Sequence, residues 1–72
     1  MDKEELLKQL GRNIKAERTR KGYSQDSFAE FLNVSRTYIG KIERGEQNMS
    51  IAKILVLATA LNVHINDLLK FD

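Results

Sequence analysis

The chain has no cysteine, no proline and no tryptophan, and only four of its 72 residues are glycine. Without cysteine, disulfide bonds and thiolate metal sites are excluded. The lack of proline and the scarcity of glycine suit a compact bundle of helices. No apolar run approaches the roughly 18 residues that a membrane span needs. The first residues, Met-Asp-Lys-Glu-Glu, also lack the basic-then-apolar order of a signal peptide, so the expected compartment is the cytoplasm.

Residues for catalysis or metal binding are equally scarce. His64 is the only histidine, with Asp67 three residues later, and a metal site needs more ligands than these two. This pair instead predicts a cap for the last helix. Acidic neighbours such as Glu4 and Glu5 have no histidine base near them in the sequence. We therefore predict that the chain is not an enzyme and needs no cofactor and no metal.

The positive charge is concentrated in the middle of the chain. The net charge is only +2, but residues 12–44 hold eight of the twelve Lys and Arg and only four of the ten Asp and Glu. Such a distribution indicates a polyanionic partner for one face of the molecule. A mixed, solvated surface is the alternative interpretation of the same charges.

Helical periodicity and capping residues predict one all-α domain of five helices over residues 1–72. The expected helices cover about residues 2–20, 25–32, 36–44, 51–61 and 65–70. Ser24, Ser35 and Ser50 stand where N-caps belong, and Gly22, Asn33, Gly45 and Asn62 stand where helices end. The fourth helix is apolar on most sides, which predicts that it is the central helix. The expected core of the first two helices is Leu6, Leu7, Leu10, Ile14, Phe28, Ala29, Phe31 and Leu32.

Residues 24–45 read as two short helices joined by a tight turn, a helix-turn-helix at about residues 25–44. The second of these helices has one apolar edge and an opposite edge formed by Arg36, Thr37, Gly40, Lys41 and Arg44, which we call the reading face. A short helix with its donors on the outside fits the major groove of DNA. The segment therefore predicts binding to double-stranded DNA.

Individual contacts follow from the side chains of this segment. Arg36 is expected to pair with guanine O6 and N7, and Thr37 to contact a base or a phosphate. Lys41 is expected to reach either a base or a phosphate. Tyr38 can place its hydroxyl on a phosphate while its ring packs on the domain. Arg44 and Asn48 are phosphate candidates. Gly40 is expected to permit close approach of DNA or of the second helix.

Two charged residues lie at the edges of apolar faces. The stripe of Leu10 and Ile14, continued by four residues, reaches Arg18, and the apolar side of the third helix reaches Glu43. Because an isolated buried charge is very costly, each needs a partner. We predict that Arg18 and Glu43 pair across the first and third helices. Two independent surface charges are the alternative.

The chain resembles the phage-repressor and Cro-like helix-turn-helix family, often called XRE-like, over about Leu10 to Leu69. The resemblance is carried by Gly22-Tyr23-Ser24-Gln25, Phe28-Ala29, Asn33-Val34-Ser35, Tyr38-Ile39, Ile42-Glu43-Arg44-Gly45 and Leu61-Asn62-Val63. It implies a lambda-repressor-like domain that binds operator DNA as a dimer. It also implies that Gln25 touches a phosphate, that Arg36, Thr37 and Lys41 reach base edges, and that Arg18 pairs with Glu43. Ser35, before Arg36, belongs to the implied interface.

A narrower part of the sequence is similar to the controller proteins of restriction–modification systems. These residues are Ser35 to Ile39, Ile42 to Gly45, Asn48 and Ser50-Ile51. The likeness implies a small homodimer that activates or represses a restriction operon by occluding or contacting RNA polymerase. A phage or general repressor and an antitoxin-like protein-interaction module remain the alternatives. Gly40 and Gln47 depart from the residues common at these positions in the family.

The C-terminal segment, residues 62–72, is more apolar than a short last helix can bury alone. We predict that part of it forms the dimer interface, namely Val63, His64, Ile65, Leu68 and Phe71. The alternative is that these residues pack on the first and fourth helices.

Overall fold

The computed structural model describes residues 1–72 and contains five helices and no strand: α1 (Lys3–Arg20), α2 (Gln25–Leu32), α3 (Arg36–Glu43), α4 (Ile51–Leu61) and α5 (Ile65–Leu68). The predicted all-α fold is confirmed. None of these helices has both the length and the apolar character required to span a bilayer.

Local capping explains where the helices begin and end. The side chains of Asp2, Ser24, Ser35 and Ser50 each accept a hydrogen bond from the backbone N–H three residues later. Asn33 and Asn62 adopt the left-handed conformation after α2 and α4, with φ of 58° and 55°. The cap of α5 comes from Asp67, whose carboxylate accepts from the backbone N–H of His64 at 3.1 Å.

All five helices contribute side chains to one core. Its largest fully buried side chains are Ile14, Phe28, Ile39, Leu57, Leu61 and Leu68. Two of the residues predicted for the core are exposed instead, Leu6 at 38% and Phe31 at 59%. Phe31 lies on the outer side of α2, where its ring packs on Tyr23 with the centroids 5.7 Å apart. A two-turn helix buries one narrow face, and Phe28 and Ala29 occupy that face.

Helix α4 packs on the domain along one side only. It buries Ile54, Leu57, Ala58 and Leu61, whereas Ile51, Leu55 and Val56 are 64%, 53% and 52% exposed. The prediction that α4 is the central helix is therefore wrong. Its apolar character on most sides reflects two faces, one that packs on the core and a second that has no partner within the chain.

The C-terminal segment folds back onto α1. The Asn13 side-chain amide donates to the backbone oxygens of Leu68 and Lys70, at 3.0 and 2.9 Å, and the Gln9 side-chain oxygen accepts from the backbone N–H of Asp72 at 2.9 Å. Leu68 is fully buried in the core, so its predicted place in a dimer interface is wrong. The Asn13 contact to the backbone oxygen of Leu68 holds this part of the chain against α1, with the Leu68 side chain in the core.

Gly11 sets the distance between α1 and α3. A Cβ atom added at this residue would lie 2.5 Å from the backbone oxygens of Ile42 and Glu43. Real side chains do not tolerate such an approach, so the two helix backbones meet closely only because residue 11 has no side chain. This contact fixes the position of α3, the helix that carries the reading face.

Candidate nucleic-acid interface

A buried ion pair fastens α3 to α1. Arg18 Nε donates to Glu43 Oε2 at 2.6 Å and Nη2 donates to Oε1 at 3.1 Å, and the two side chains are 9% and 3% exposed. Arg18 Nη1 also donates to the backbone oxygen of Tyr23 at 2.7 Å. The pairing predicted from the sequence is present. It joins α1, the segment before α2 and the end of α3 through one guanidinium group.

Gln25 belongs to the same hydrogen-bond network. Its side-chain Nε2 donates to Glu43 Oε1 at 3.0 Å, so the amide that was expected on a phosphate has a partner inside the protein. The first N–H groups of α2 have no acceptor within the helix, and such groups attract anions. One N–H of the Gln25 amide holds the start of α2 to the ion pair, while its second N–H and the backbone N–H are not engaged by that bond, so the phosphate contact of Gln25 stays a prediction.

Helices α2 and α3 bring four of the eight predicted DNA-binding residues together on one surface. A polar concavity of about 310 Å³ is lined by Gln25, Arg36, Thr37, Gly40 and Arg44. Lys41 and Asn48 are exposed as well. Their contacts with bases or phosphates stay predictions.

Ser35 and Tyr38 stabilise the start of α3. The Ser35 hydroxyl accepts from the backbone N–H of Tyr38 at 3.0 Å and so caps the helix. Tyr38 is half-buried against the core, and Lys53 Nζ lies 5.9 Å from the centre of its ring. Both residues thus help to position α3, and their contacts with DNA stay predictions.

Both arginines of the reading face carry an acidic partner that the sequence interpretation did not identify. Arg36 Nε lies 3.3 Å from Asp26 Oδ1 of α2, and Arg44 donates through Nε and Nη2 to the two carboxylate oxygens of Glu46, at 2.9 and 3.2 Å. Hydrogen bonding to Arg44 lowers the pKa of Glu46, and the same bond raises the pKa of Arg44. The Arg44–Glu46 contact could have been predicted from the sequence, because the two residues are close neighbours along the chain. The Arg36–Asp26 contact depends on how α2 and α3 are packed.

Gly40 makes room for one of these arginines. A Cβ atom added at Gly40 would lie 3.0 Å from Arg44 Nη1. The guanidinium group of Arg44 lies back over α3 at this glycine, and the close approach of DNA expected there stays a prediction.

The structure brings together no group of three His, Cys, Asp or Glu side chains that could hold a metal ion.

Comparisons with known proteins agree on one class. The family model HTH_3, described as helix-turn-helix, matches residues 14–68. The control protein C.SmaI of Serratia marcescens is 38% identical over 69 residues, which cover 96% of this chain and 79% of that protein. The crystal structure of the restriction–modification controller protein C.AhdI from Aeromonas hydrophila superposes with a TM-score of 0.77 at 40% identity, covering 86% of this chain and 94% of that one.

A second similar structure contains DNA. The restriction–modification controller protein C.Esp1396I, as a tetramer in complex with its natural 35 base-pair operator, superposes with a TM-score of 0.72 at 33% identity. The match covers 90% of this chain and 96% of that one.

Proposed function

The chain belongs to the HTH_3 helix-turn-helix family, and from this premise we propose that it binds an operator as a homodimer and controls a restriction–modification operon. Proteins of this family act as DNA-binding transcriptional regulators. The narrower role is supported by the similarity to C.SmaI and C.AhdI over most of the length of each protein.

The observation that carries the proposal is the reading face itself. Arg36, Thr37 and Arg44 line one concavity on the outside of α3, and the buried Arg18–Glu43 pair holds that helix on the domain. Donors held in a fixed arrangement on a helix can read base edges in the major groove. An exposed face of this composition favours DNA as the partner over a protein-interaction module.

Arg36 is the residue proposed to read guanine. A bidentate contact of arginine with a guanine is worth about 1–3 kcal/mol of discrimination, a factor of roughly 5 to 150 in affinity. A gel shift with the DNA upstream of the chain's own gene tests this with wild type and Arg36→Ala. Arg20→Ala is the matched control, because Arg20 is an exposed arginine at the end of α1 that pairs with Glu17. Equal binding by wild type and Arg36→Ala would contradict base reading by Arg36.

The outer face of α4 is proposed to form the dimer interface. Ile51, Leu55 and Val56 are large apolar side chains exposed together on one helix, and such patches commonly mark interfaces. The C-terminal residues Val63, His64, Ile65 and Phe71 remain predicted for the same interface. Assembly of the similar C.Esp1396I as a tetramer on its operator supports association of this chain.

Sedimentation equilibrium tests the dimer. Leu55→Glu places a charge in the proposed interface and is expected to give a monomer at concentrations where the wild type is a dimer. Phe31→Ser is the control, because Phe31 is equally exposed but lies on α2. A Leu55→Glu protein that associates as the wild type does would exclude this face.

The proposed mechanism follows from two copies of the reading face. Two-fold related α3 helices would read half-sites one helical turn apart, about 34 Å. Phosphate contacts give an affinity that falls as salt rises. Transcription then changes because the bound dimer occludes or contacts RNA polymerase. In vitro transcription of a restriction operon with and without the protein tests this role, and an unchanged transcript level would contradict it.

A further inference from the structure

The guanidinium group of Arg36 has an acidic neighbour on another helix, in an ion pair whose two side chains are 65% and 78% exposed. Asp26 is the second residue of α2, and its Oδ1 lies 3.3 Å from Arg36 Nε. Nε is the inner nitrogen of the group. A contact there orients the side chain and leaves the terminal nitrogens Nη1 and Nη2 for an end-on, bidentate contact with a guanine.

Arg44 is held in a different way. Glu46 engages both Nε and Nη2 of Arg44, the whole inner edge of the guanidinium group. Arg44 must break that contact to present the same edge to a phosphate. Arg36 can read a base with its acidic partner in place. Both arginines keep Nη1 free of an acidic partner, but only Arg36 has its acid on another helix and both of its terminal nitrogens free.

The position of Asp26 also matters for DNA of the wrong sequence. Asp26 follows Gln25 at the N-terminus of α2, the end proposed to face a phosphate. If Arg36 swings away to a phosphate, Asp26 is left without its partner beside the negative backbone. An unpaired carboxylate that arises only on DNA of the wrong sequence would weaken binding to that DNA and so favour the operator.

We propose that Asp26 is a positioning residue that determines specificity, because it directs Arg36 toward guanine and penalises binding to non-operator DNA. This inference rests on the proposed base reading by Arg36. Removing the carboxylate frees Arg36 for one more phosphate contact. One such contact strengthens binding about fivefold to tenfold at about 0.1 M salt and steepens the salt dependence by about one unit of log–log slope.

The test compares two labelled duplexes by fluorescence anisotropy over a range of salt concentrations. One duplex is the segment that footprinting identifies upstream of the chain's own gene, and the other has the same composition in scrambled order. The variants are Asp26→Asn, Arg36→Ala and the double variant. Glu30→Gln is the matched control, because it removes an exposed acid from the same helix α2 and leaves the Arg36–Asp26 pair in place.

Asp26→Asn is expected to bind the scrambled duplex about fivefold to tenfold more tightly, with the steeper salt slope. Its operator affinity should stay within about threefold of the wild type, the scale of an exposed ion pair. The ratio of the two affinities therefore falls. Glu30→Gln should leave that ratio unchanged. In the Arg36→Ala background, Asp26→Asn should shift both duplexes equally.

Two results would overturn the inference, and they differ in what else they overturn. If Arg36→Ala lowers the affinity ratio but Asp26→Asn and Glu30→Gln both leave it unchanged, Arg36 reads bases and Asp26 has no part in it. If Arg36→Ala itself leaves the ratio unchanged, base reading by Arg36 fails and the role of Asp26 fails with it. Circular dichroism spectra matching the wild type show that each variant is folded.

Discussion

Replacing Glu43 by Gln should remove a large part of the stability of this domain. The substitution keeps the size of the side chain but leaves Arg18 as a buried cation, since the other partner of its guanidinium group is the neutral backbone oxygen of Tyr23. Breaking one partner of a buried pair costs about 3–5 kcal/mol. A chain of 72 residues has a total stability of only about 4–11 kcal/mol at the usual values per residue. The melting temperature should fall by more than about 12 °C.

Urea denaturation followed by far-UV circular dichroism measures this loss directly. All proteins must be compared at one concentration, because the proposed dimerisation would add a stabilising term that depends on concentration. Glu4→Gln is the matched control, since Glu4 pairs with Lys8 at 3.2 Å on the surface of α1. Exposed pairs of this kind contribute about 0.2–1 kcal/mol. The Glu43 variant should therefore lose several times more than the Glu4 variant.

The double variant Arg18→Met with Glu43→Leu distinguishes the cost of one unpaired buried charge from the loss of the other hydrogen bonds around the pair. Replacing both charges by apolar groups often restores stability. Here the recovery should be partial, because the Tyr23 carbonyl and the Gln25 amide each lose a hydrogen-bond partner. A loss under about 1 kcal/mol in Glu43→Gln alone would place the pair among exposed ion pairs and refute the reasoning.

Three further substitutions follow from single contacts. Gly11→Ala should destabilise the domain by about 1–3 kcal/mol in urea denaturation, because its Cβ would meet the Ile42 backbone oxygen at 2.5 Å. Asn13→Ala leaves two C-terminal carbonyls without their donor and should cost about 0.5–1.5 kcal/mol, since the two bonds are part-buried and exposed, with faster amide exchange over residues 65–72. Glu46→Gln frees Arg44 and should raise affinity for operator and scrambled duplexes by the same factor in gel shifts.

Each of these has a result that would contradict it. An unchanged urea midpoint for Gly11→Ala would mean that α1 and α3 can separate without loss. Unchanged exchange in Asn13→Ala would mean that the C-terminal segment is held by its apolar contacts alone. A Glu46→Gln protein that gains affinity only for the operator would assign Arg44 to a base instead of a phosphate.

The candidate site was predictable to the extent that it depends on one helix. The spacing of Arg36, Thr37, Lys41 and Arg44 along α3 places them on one outer face whatever the rest of the chain does. The Arg18–Glu43 pair was predictable because each residue lies at the edge of an apolar stripe, where a lone charge is too costly. The Asp26 partner of Arg36 was missed, because no periodicity within a helix relates residues on two different helices.

The fold shows the same division. The number of helices and nearly all of their ends could be predicted from the sequence, since Ser, Asn and Gly act on the backbone within a few residues of where they stand. Which apolar residues are buried depends on how the helices pack together. Leu68 lies in the core while Leu55 and Phe31 are exposed, although all three are equally apolar in the sequence. Burial depends on the direction in which each short helix meets its neighbours, and that direction is set by contacts such as Gly11 on α3 and Asn13 on the C-terminal segment.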